Sequence, residues 1–135
     1  MIAAILLLAQ AASLSPCDQE AADRGVQSDM NICAHREYLE ADAELNAQWR
    51  ETREHMRRSD TNAQDHIDPA RDDRPGYFET LLTAQRAWIA YRDAHCRSEG
   101  YYARGGSLEP LLVSTCKTQL TRERTQQLRE LTEGF

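Results

Sequence analysis

Residues 77–97 read YFETLLTAQRAWIAYRDAHCR, a segment without glycine or proline in which apolar residues recur at helical spacing. This periodicity predicts an amphipathic helix over the whole segment. Its apolar face consists of Phe78, Leu81, Leu82, Trp88 and Ile89. The same stripe also contains three side chains that are not hydrocarbon, Gln85, Arg92 and Cys96. Because polar groups inside a packed face need hydrogen-bonding partners, the segment predicts that neighbouring helices supply them.

A second helix is predicted upstream, over residues 28–58. Ser28 is a candidate N-cap, and Asp29 lies in the first turn, where negative charge interacts favourably with the helix dipole. One apolar stripe recurs at steps of three, four or seven residues, at Tyr38, Ala41, Leu45, Trp49 and Met56. The opposite face is charged, as expected of a surface in water, and carries Arg36, Glu40, Glu54 and Arg57.

A third helix is predicted after residue 107. Ser107 is placed to cap it, and Pro110 is tolerated in its first turn. Its stripe, which Arg124 interrupts, is Leu112, Cys116, Leu120, Leu128 and Leu131. A polar connection, residues 59–76, and a turn containing glycine, residues 100–107, join the three helices. The predicted fold class is therefore all-α, a small three-helix bundle.

Cysteines are expected to stabilise this bundle, because its apolar content is low. Leu, Ile, Val and Phe account for only 17 of the 119 residues after Pro16, a fraction typical of disordered chains. The four cysteines are Cys17, Cys33, Cys96 and Cys116. Two disulfides would lower the entropy of the unfolded chain. Of the three possible connectivities, the one that joins neighbours in sequence pairs Cys17 with Cys33 and Cys96 with Cys116, but sequence alone does not decide.

The N-terminus predicts export. Residues 1–8, MIAAILLL, are apolar but too few to span a bilayer, and residues 9–11, Ala-Gln-Ala, have the small-x-small pattern of a signal-peptide cleavage site. We predict a cleaved signal peptide over residues 1–11, an N-terminal arm over residues 12–27 and a helical domain over residues 28–135. The alternative is a buried N-terminal helix. Proline directly before Cys17 disfavours lipidation of that cysteine, so a periplasmic or secreted location is expected, where disulfides persist.

The net charge of −6 restricts the class of partner. A nucleic-acid-binding face needs clustered excess positive charge, so nucleic acid is not expected as a partner. An acidic chain favours a cationic protein, mainly by raising the rate of association.

Catalytic and metal-binding patterns are not evident. The four histidines, His35, His55, His66 and His95, lack the spacing of metal ligands. His95 and Cys96 are adjacent, so on a helix their side chains point apart and do not form a nucleophilic pair. We therefore expect no enzymatic activity, no cofactor and no metal.

Four polar residues are predicted to meet between helices: Asp42, Asn46, Gln85 and Arg92. In this hypothesis Arg92 donates to Asp42, while Asn46 and Gln85 complete the hydrogen bonds, because a buried guanidinium needs a paired anion. The alternative is a polar site that binds a ligand or partner.

The turn before the third helix is the candidate partner-binding loop. Its residues are Tyr101, Tyr102, Arg104, Gly105, Gly106 and Ser107. Tyrosine and arginine are enriched in interface hot spots. The alternative is a tight turn whose tyrosines pack over Cys96 and Cys116.

Several motifs occur in order along the chain. They are Asp42-x-Glu44-Leu45-Asn46, Gln85-Arg86-Ala87-Trp88, Tyr91-Arg92-Asp93 followed by Cys96, Gly105-Gly106-Ser107, Cys116 and Arg124. Together they resemble the LprI-like lysozyme inhibitor family, over residues from about 17 to 131. The family's recurrent polar positions map onto Asp42, Asn46, Gln85, Arg86 and Arg92.

The resemblance implies an exported, helical, disulfide-bearing bacterial domain without enzymatic activity. On this basis we expect a monomeric protein-binding module of the cell envelope that inhibits lysozyme-type muramidases. The alternative is a structural or accessory envelope protein that binds another partner and leaves lysozyme active.

Overall fold

The computed structural model describes residues 16–134. The predicted signal peptide, residues 1–11, lies outside this part of the chain. The described residues contain four α-helices: α1 (Gln19–Asp23), α2 (Gln27–Ala63), α3 (Tyr77–Gly100) and α4 (Glu109–Glu133). A 3₁₀ turn, Tyr101–Ala103, follows α3. The three long helices and the absence of strands from the described residues confirm the predicted all-α bundle.

Contacts between the helices give their directions. Asn31 of α2 contacts Ser107, just before α4, and Thr52 farther along α2 contacts Leu128 farther along α4. The two helices therefore run parallel. Asp60, near the end of α2, contacts the first residue of α3, so α3 runs antiparallel to both. One end of the bundle consequently holds the start of α2, the end of α3 and the 101–107 loop.

The two disulfides pair neighbours in sequence. Cys17 bonds to Cys33 and joins the segment before α1 to α2. Cys96 bonds to Cys116 and joins α3 to α4, with Cα atoms 5.4 Å apart. Of the alternatives that the sequence left open, the structure thus has the local pairing. The segment predicted as an arm contains α1, which Asp18 caps by accepting a hydrogen bond of 2.9 Å from the Ala21 N–H.

The buried face of α4 is more polar than the sequence predicted. The buried residues of α4 are Ser114, Cys116, Thr118, Thr121, Thr125 and Leu128, whereas Leu112 and Leu120 are only half-buried. The predicted leucine stripe was therefore partly wrong. The hydroxyls of Thr118 and Thr125 each donate to the carbonyl four residues earlier. Because its own helix satisfies each hydroxyl, threonine packs there much as a small apolar residue does.

Three apolar side chains form the centre of the core. Leu45, Leu81 and Leu128, one from each long helix, are buried together, and Trp49, Met56, Trp88 and Leu131 pack against them. Ile89, which was predicted on the apolar face of α3, is 41% exposed instead. The small size of this cluster agrees with the low apolar content of the chain.

Both predicted serine caps were wrong. Ser28 lies inside α2, whose N-cap is Val26, and its hydroxyl contacts Asp29. Ser107 lies one residue before Leu108, the N-cap of α4. Neither cap residue makes a side-chain hydrogen bond, so both helices begin without a side-chain cap. Helix α2 also continues to Ala63, so the connection to α3 is residues 64–76 rather than 59–76.

Asp60 of α2 caps α3, a contact between residues distant in sequence. Its Oδ1 accepts from the Tyr77 N–H at 2.7 Å, and its Oδ2 accepts from the Phe78 N–H at 3.0 Å. The N-cap residue of α3 is Gly76, which makes no side-chain cap of its own. A Cβ at Gly76 would lie 2.6 Å from Oδ1 of Asp60. Glycine therefore leaves room for the carboxylate.

Gly76→Ala is expected to destabilise the wild-type protein by about 1 kcal/mol, because the new methyl displaces the capping carboxylate. In an Asp60→Ala background the same change should be neutral or slightly stabilising, because no carboxylate is left to displace and alanine lowers the entropy of the unfolded chain. Urea unfolding of the four proteins gives this double-mutant cycle. Strict additivity of the two changes would contradict the contact.

Candidate functional site

Two regions contain the residues that the sequence singled out: the 101–107 loop at one end of the bundle and a polar cluster around Arg92. The loop is held by α2. Asn31 Nδ2 donates to the Ser107 carbonyl at 2.9 Å, and the Asn31 Oδ1 accepts from Gln27 at 2.8 Å. The loop is thereby fixed against the first turns of α2.

The backbone conformation of its glycines determines the path of the loop. Gly105 has a φ of +79°, a conformation that glycine adopts at low cost, and its N–H donates to Glu109 Oε2 at 2.6 Å. The Gly106 N–H donates to the Ala103 carbonyl at 2.8 Å. These bonds satisfy the backbone of the turn and order it without burying its side chains.

The aromatic and cationic side chains of the loop face solvent. Tyr102 is 88% exposed and Tyr101 is 44% exposed. The guanidinium of Arg104 lies 4.4 Å from the ring centroid of Tyr101. Tyr102 therefore does not pack over the Cys96–Cys116 disulfide, which was the alternative at the sequence level.

Negative charge is concentrated beside this loop. Residues 16–48, which form α1 and the first half of α2, contain eight acidic residues and two arginines, whereas residues 49–135 contain fourteen residues of each sign. The first segment thus accounts for the whole net charge of −6. Glu37 and Glu40 are exposed on it, and Glu37 forms an ion pair of 3.0 Å with Arg122 of α4.

Arg92 is the centre of the polar cluster. Its side chain is 8% exposed. Its Nη1 lies 3.6 Å from Asp42 of α2, and its Nε donates to Asp93 at 3.0 Å. The guanidinium also lies over the rings of Trp88 and Tyr38, at 5.0 and 5.6 Å from their centroids. These contacts pair and cover the buried charge.

The four residues of the predicted network are only partly brought together. Asn46 donates to Asp42 at 3.3 Å, so both lie with Arg92. Gln85 does not join them: its Oε1 accepts from Arg124 Nε at 2.9 Å. The prediction that Gln85 completes the Arg92 network was wrong, because Gln85 lies two turns earlier on α3, opposite the later part of α4.

Other members of the cluster were not singled out from sequence. Lys117 lies 3.7 Å from Asp93 and 5.4 Å from the Tyr38 ring centroid. Burial raises the pKa of Tyr38, an effect that the nearby Arg92 guanidinium opposes. Two features of the sequence could have drawn attention to Lys117: it is the sole lysine of the chain, and it directly follows Cys116. With its ions paired, the cluster links α2, α3 and α4 electrostatically.

One group of possible metal ligands lies near the second disulfide. Atoms of His95, Glu99 and Cys116 lie within 4.8 Å of one another. The sulfur of Cys116 is bonded to Cys96, so it does not offer the thiolate that a metal requires. His95 contacts Glu99 at 3.1 Å and stacks on Tyr91. These contacts explain why the three residues lie close together without a metal ion.

Among residues 16–134, no helix is both long and apolar enough to cross a membrane. A protein-family model described as lysozyme inhibitor LprI matches residues 17–128. A protein of Rhizobium meliloti (strain 1021), described as uncharacterized, is 50% identical over 108 residues, which cover 80% of this chain and 75% of the relative. No solved structure gives a significant match. The chain belongs to the LprI lysozyme inhibitor family.

Proposed function

We propose that this protein is an exported, non-enzymatic inhibitor that binds a cationic lysozyme-type muramidase through the 101–107 loop. The inhibitor role rests on family membership, and the periplasmic or secreted location is supported by the two disulfides. The protein acts as a monomer in this proposal.

One observation carries the assignment of the contact surface. The hydrogen bond from Asn31 to Ser107 fixes the exposed loop against the segment that holds the net negative charge. Negative charge attracts a cationic enzyme during diffusional encounter. The exposed ring of Tyr102 then supplies the apolar contact that commonly dominates an interface.

The ordered backbone of the loop favours binding. The Gly105 N–H donates to Glu109, the first residue of α4, and the Gly106 N–H donates to Ala103 within the loop, so little backbone entropy is lost when a partner docks. Preorganised loops gain affinity mainly by avoiding this loss. The Arg92 side chain, in contrast, is buried, and in this proposal its cluster joins the helices instead of binding the partner.

Tyr102→Ala is expected to raise the concentration needed for half-inhibition of a purified cationic lysozyme by at least about tenfold. The measurement is the clearing rate of a bacterial cell-wall suspension. Tyr77→Ala is the matched control, because Tyr77 is also exposed, at 47%, but lies at the other end of the bundle. Added salt should weaken inhibition by slowing association.

Failure of the wild-type protein to slow lysis at micromolar excess would contradict lysozyme inhibition and favour the accessory envelope role. Hydrolysis of the cell wall by the protein alone would contradict the non-enzymatic assignment. Equal losses in Tyr102→Ala and Tyr77→Ala would place the contact outside the loop.

A further inference from the structure

The end of the bundle opposite the 101–107 loop holds an open groove of about 1050 Å³. It lies between the end of α2, the start of α3 and the connection that joins them. Its apolar lining includes Met56, Ile67, Leu81, Ala84, Ala87 and Leu131. A groove of this volume is large enough for a small organic ligand.

The groove is continuous with the hydrophobic core. Leu81 belongs to the buried cluster, and Met56 and Leu131 pack against that cluster. At the rim, Ile67 is 40% and Tyr77 is 47% exposed. A contiguous apolar surface is unusual on so polar a protein and is typical of a binding site.

Arg124 gives the groove a positive group without a compensating anion. Its Nε donates to Gln85 at 2.9 Å and its Nη1 to Gln127 at 3.1 Å, both of which are neutral. Its Nη2 is buried without a hydrogen-bond partner in the described part of the chain. Burial lowers the pKa of this guanidinium. A desolvated cation of this kind is stabilised by an incoming anion.

The two carboxylates that line the groove already have partners. Asp60 accepts hydrogen bonds from two backbone N–H groups at the start of α3. Asp72 is bonded by Arg74 at 2.8 and 2.6 Å, and these hydrogen bonds lower its pKa to about 2. An anion entering the groove therefore meets Arg124, a cation that no acidic side chain of the described residues pairs, while the N–H groups at the start of α3 stabilise the charge of Asp60.

We propose that this groove binds an anionic amphiphile, a long-chain carboxylate whose alkyl chain lies along the apolar lining and whose head group pairs with Arg124. In this proposal the head group replaces Gln127, an exposed and neutral acceptor, as the partner of Arg124 Nη1. The planar fork of arginine suits a carboxylate, which accepts two of its N–H groups. This site uses no residue of the lysozyme-binding loop, so the two proposals stand or fall separately.

The test is calorimetric titration of the mature protein with dodecanoate and with dodecyltrimethylammonium, which have equal alkyl chains and opposite charge, each below its micelle concentration. We expect saturable binding of dodecanoate, at least about tenfold tighter than that of the cation. Equal affinities, or the absence of saturable binding, would overturn the proposal.

Three variants locate the site. Arg124→Met keeps an apolar stem but removes the charge, and it should abolish the preference for the anion. Ala87→Phe fills the groove from the exposed face of α3 and should abolish binding of both amphiphiles. Ala94→Phe introduces the same side chain at an exposed position of α3 outside the lining and should bind as the wild type does. Unchanged binding by Ala87→Phe would overturn the assignment.

Discussion

Replacement of Cys96 and Cys116 by alanine is expected to cost about 3 kcal/mol of folding free energy and to lower the melting temperature by about 10–15 °C. The bond closes a loop with a sequence separation of 20 residues, so its loss increases the entropy of the unfolded chain. Cys96 is fully buried and Cys116 is 5% exposed, so the change also removes packed sulfur from the seam between α3 and α4. The measurement is thermal unfolding followed by circular dichroism.

The matched control is replacement of Cys17 and Cys33 by alanine. That bond closes a loop of similar length, with a separation of 16 residues, but it holds only α1, whose buried residues are Ala21 and Ala22. Loss of this bond allows α1 to detach while the three long helices stay folded. We expect a smaller decrease in melting temperature, of a few degrees. Equal decreases in both variants would contradict this difference between the bonds.

The size of the first effect follows from the small core. In the described part of the chain, the buried apolar cluster consists of Leu45, Leu81 and Leu128, and α4 buries mainly small hydroxyl side chains. A domain is stable by only about 5–15 kcal/mol. A disulfide worth about 3 kcal/mol is therefore a large part of the difference between the folded and unfolded states.

The sequence predicted where the helices lie better than it predicted which residues pack between them. Periodicity located all three long helices because their breaks contain proline or glycine. It misjudged α4, since Thr118 and Thr125 count as polar in a sequence pattern yet bond to their own helix and pack inside. The starts of α2 and α4 were misplaced because the prediction relied on serine caps, whereas neither helix begins with a side-chain cap.

In the candidate sites, too, the sequence predicted some contacts and missed others. The pairing of Arg92 with Asp42 could be predicted, because a cation on an apolar stripe needs an anionic partner. The contact of Asp60 with the start of α3 spans 17 residues and matches no local capping motif. The open groove and the unpaired guanidinium of Arg124 depend on how the 64–76 connection folds back, which periodicity does not describe.

Arg92→Ala is expected to destabilise the protein by about 2 kcal/mol, less than the roughly 3–5 kcal/mol for breaking a fully buried ion pair, because the carboxylates left behind are 35% and 41% exposed. The change removes the cation of Asp42, whereas Asp93 keeps Lys117 at 3.7 Å. It also removes the guanidinium that fills the space between Trp88 and Tyr38. The free energy of unfolding in urea measures the loss.

The control must be an arginine whose loss leaves the helices in contact. Arg57 was predicted on the solvated face, and its ion pair with Glu54 is about half exposed, but its guanidinium also lies 4.5 Å from the ring centroid of Phe78. We therefore expect Arg57→Ala to lower the free energy of unfolding by up to about 1 kcal/mol. Arg50, an exposed residue of α2, is the second control. Its replacement by alanine should change the free energy of unfolding by no more than about 0.5 kcal/mol. If Arg92→Ala cost no more than Arg57→Ala, the cluster would not be what joins the helices. Its paired ions would then have to be explained as part of a binding surface.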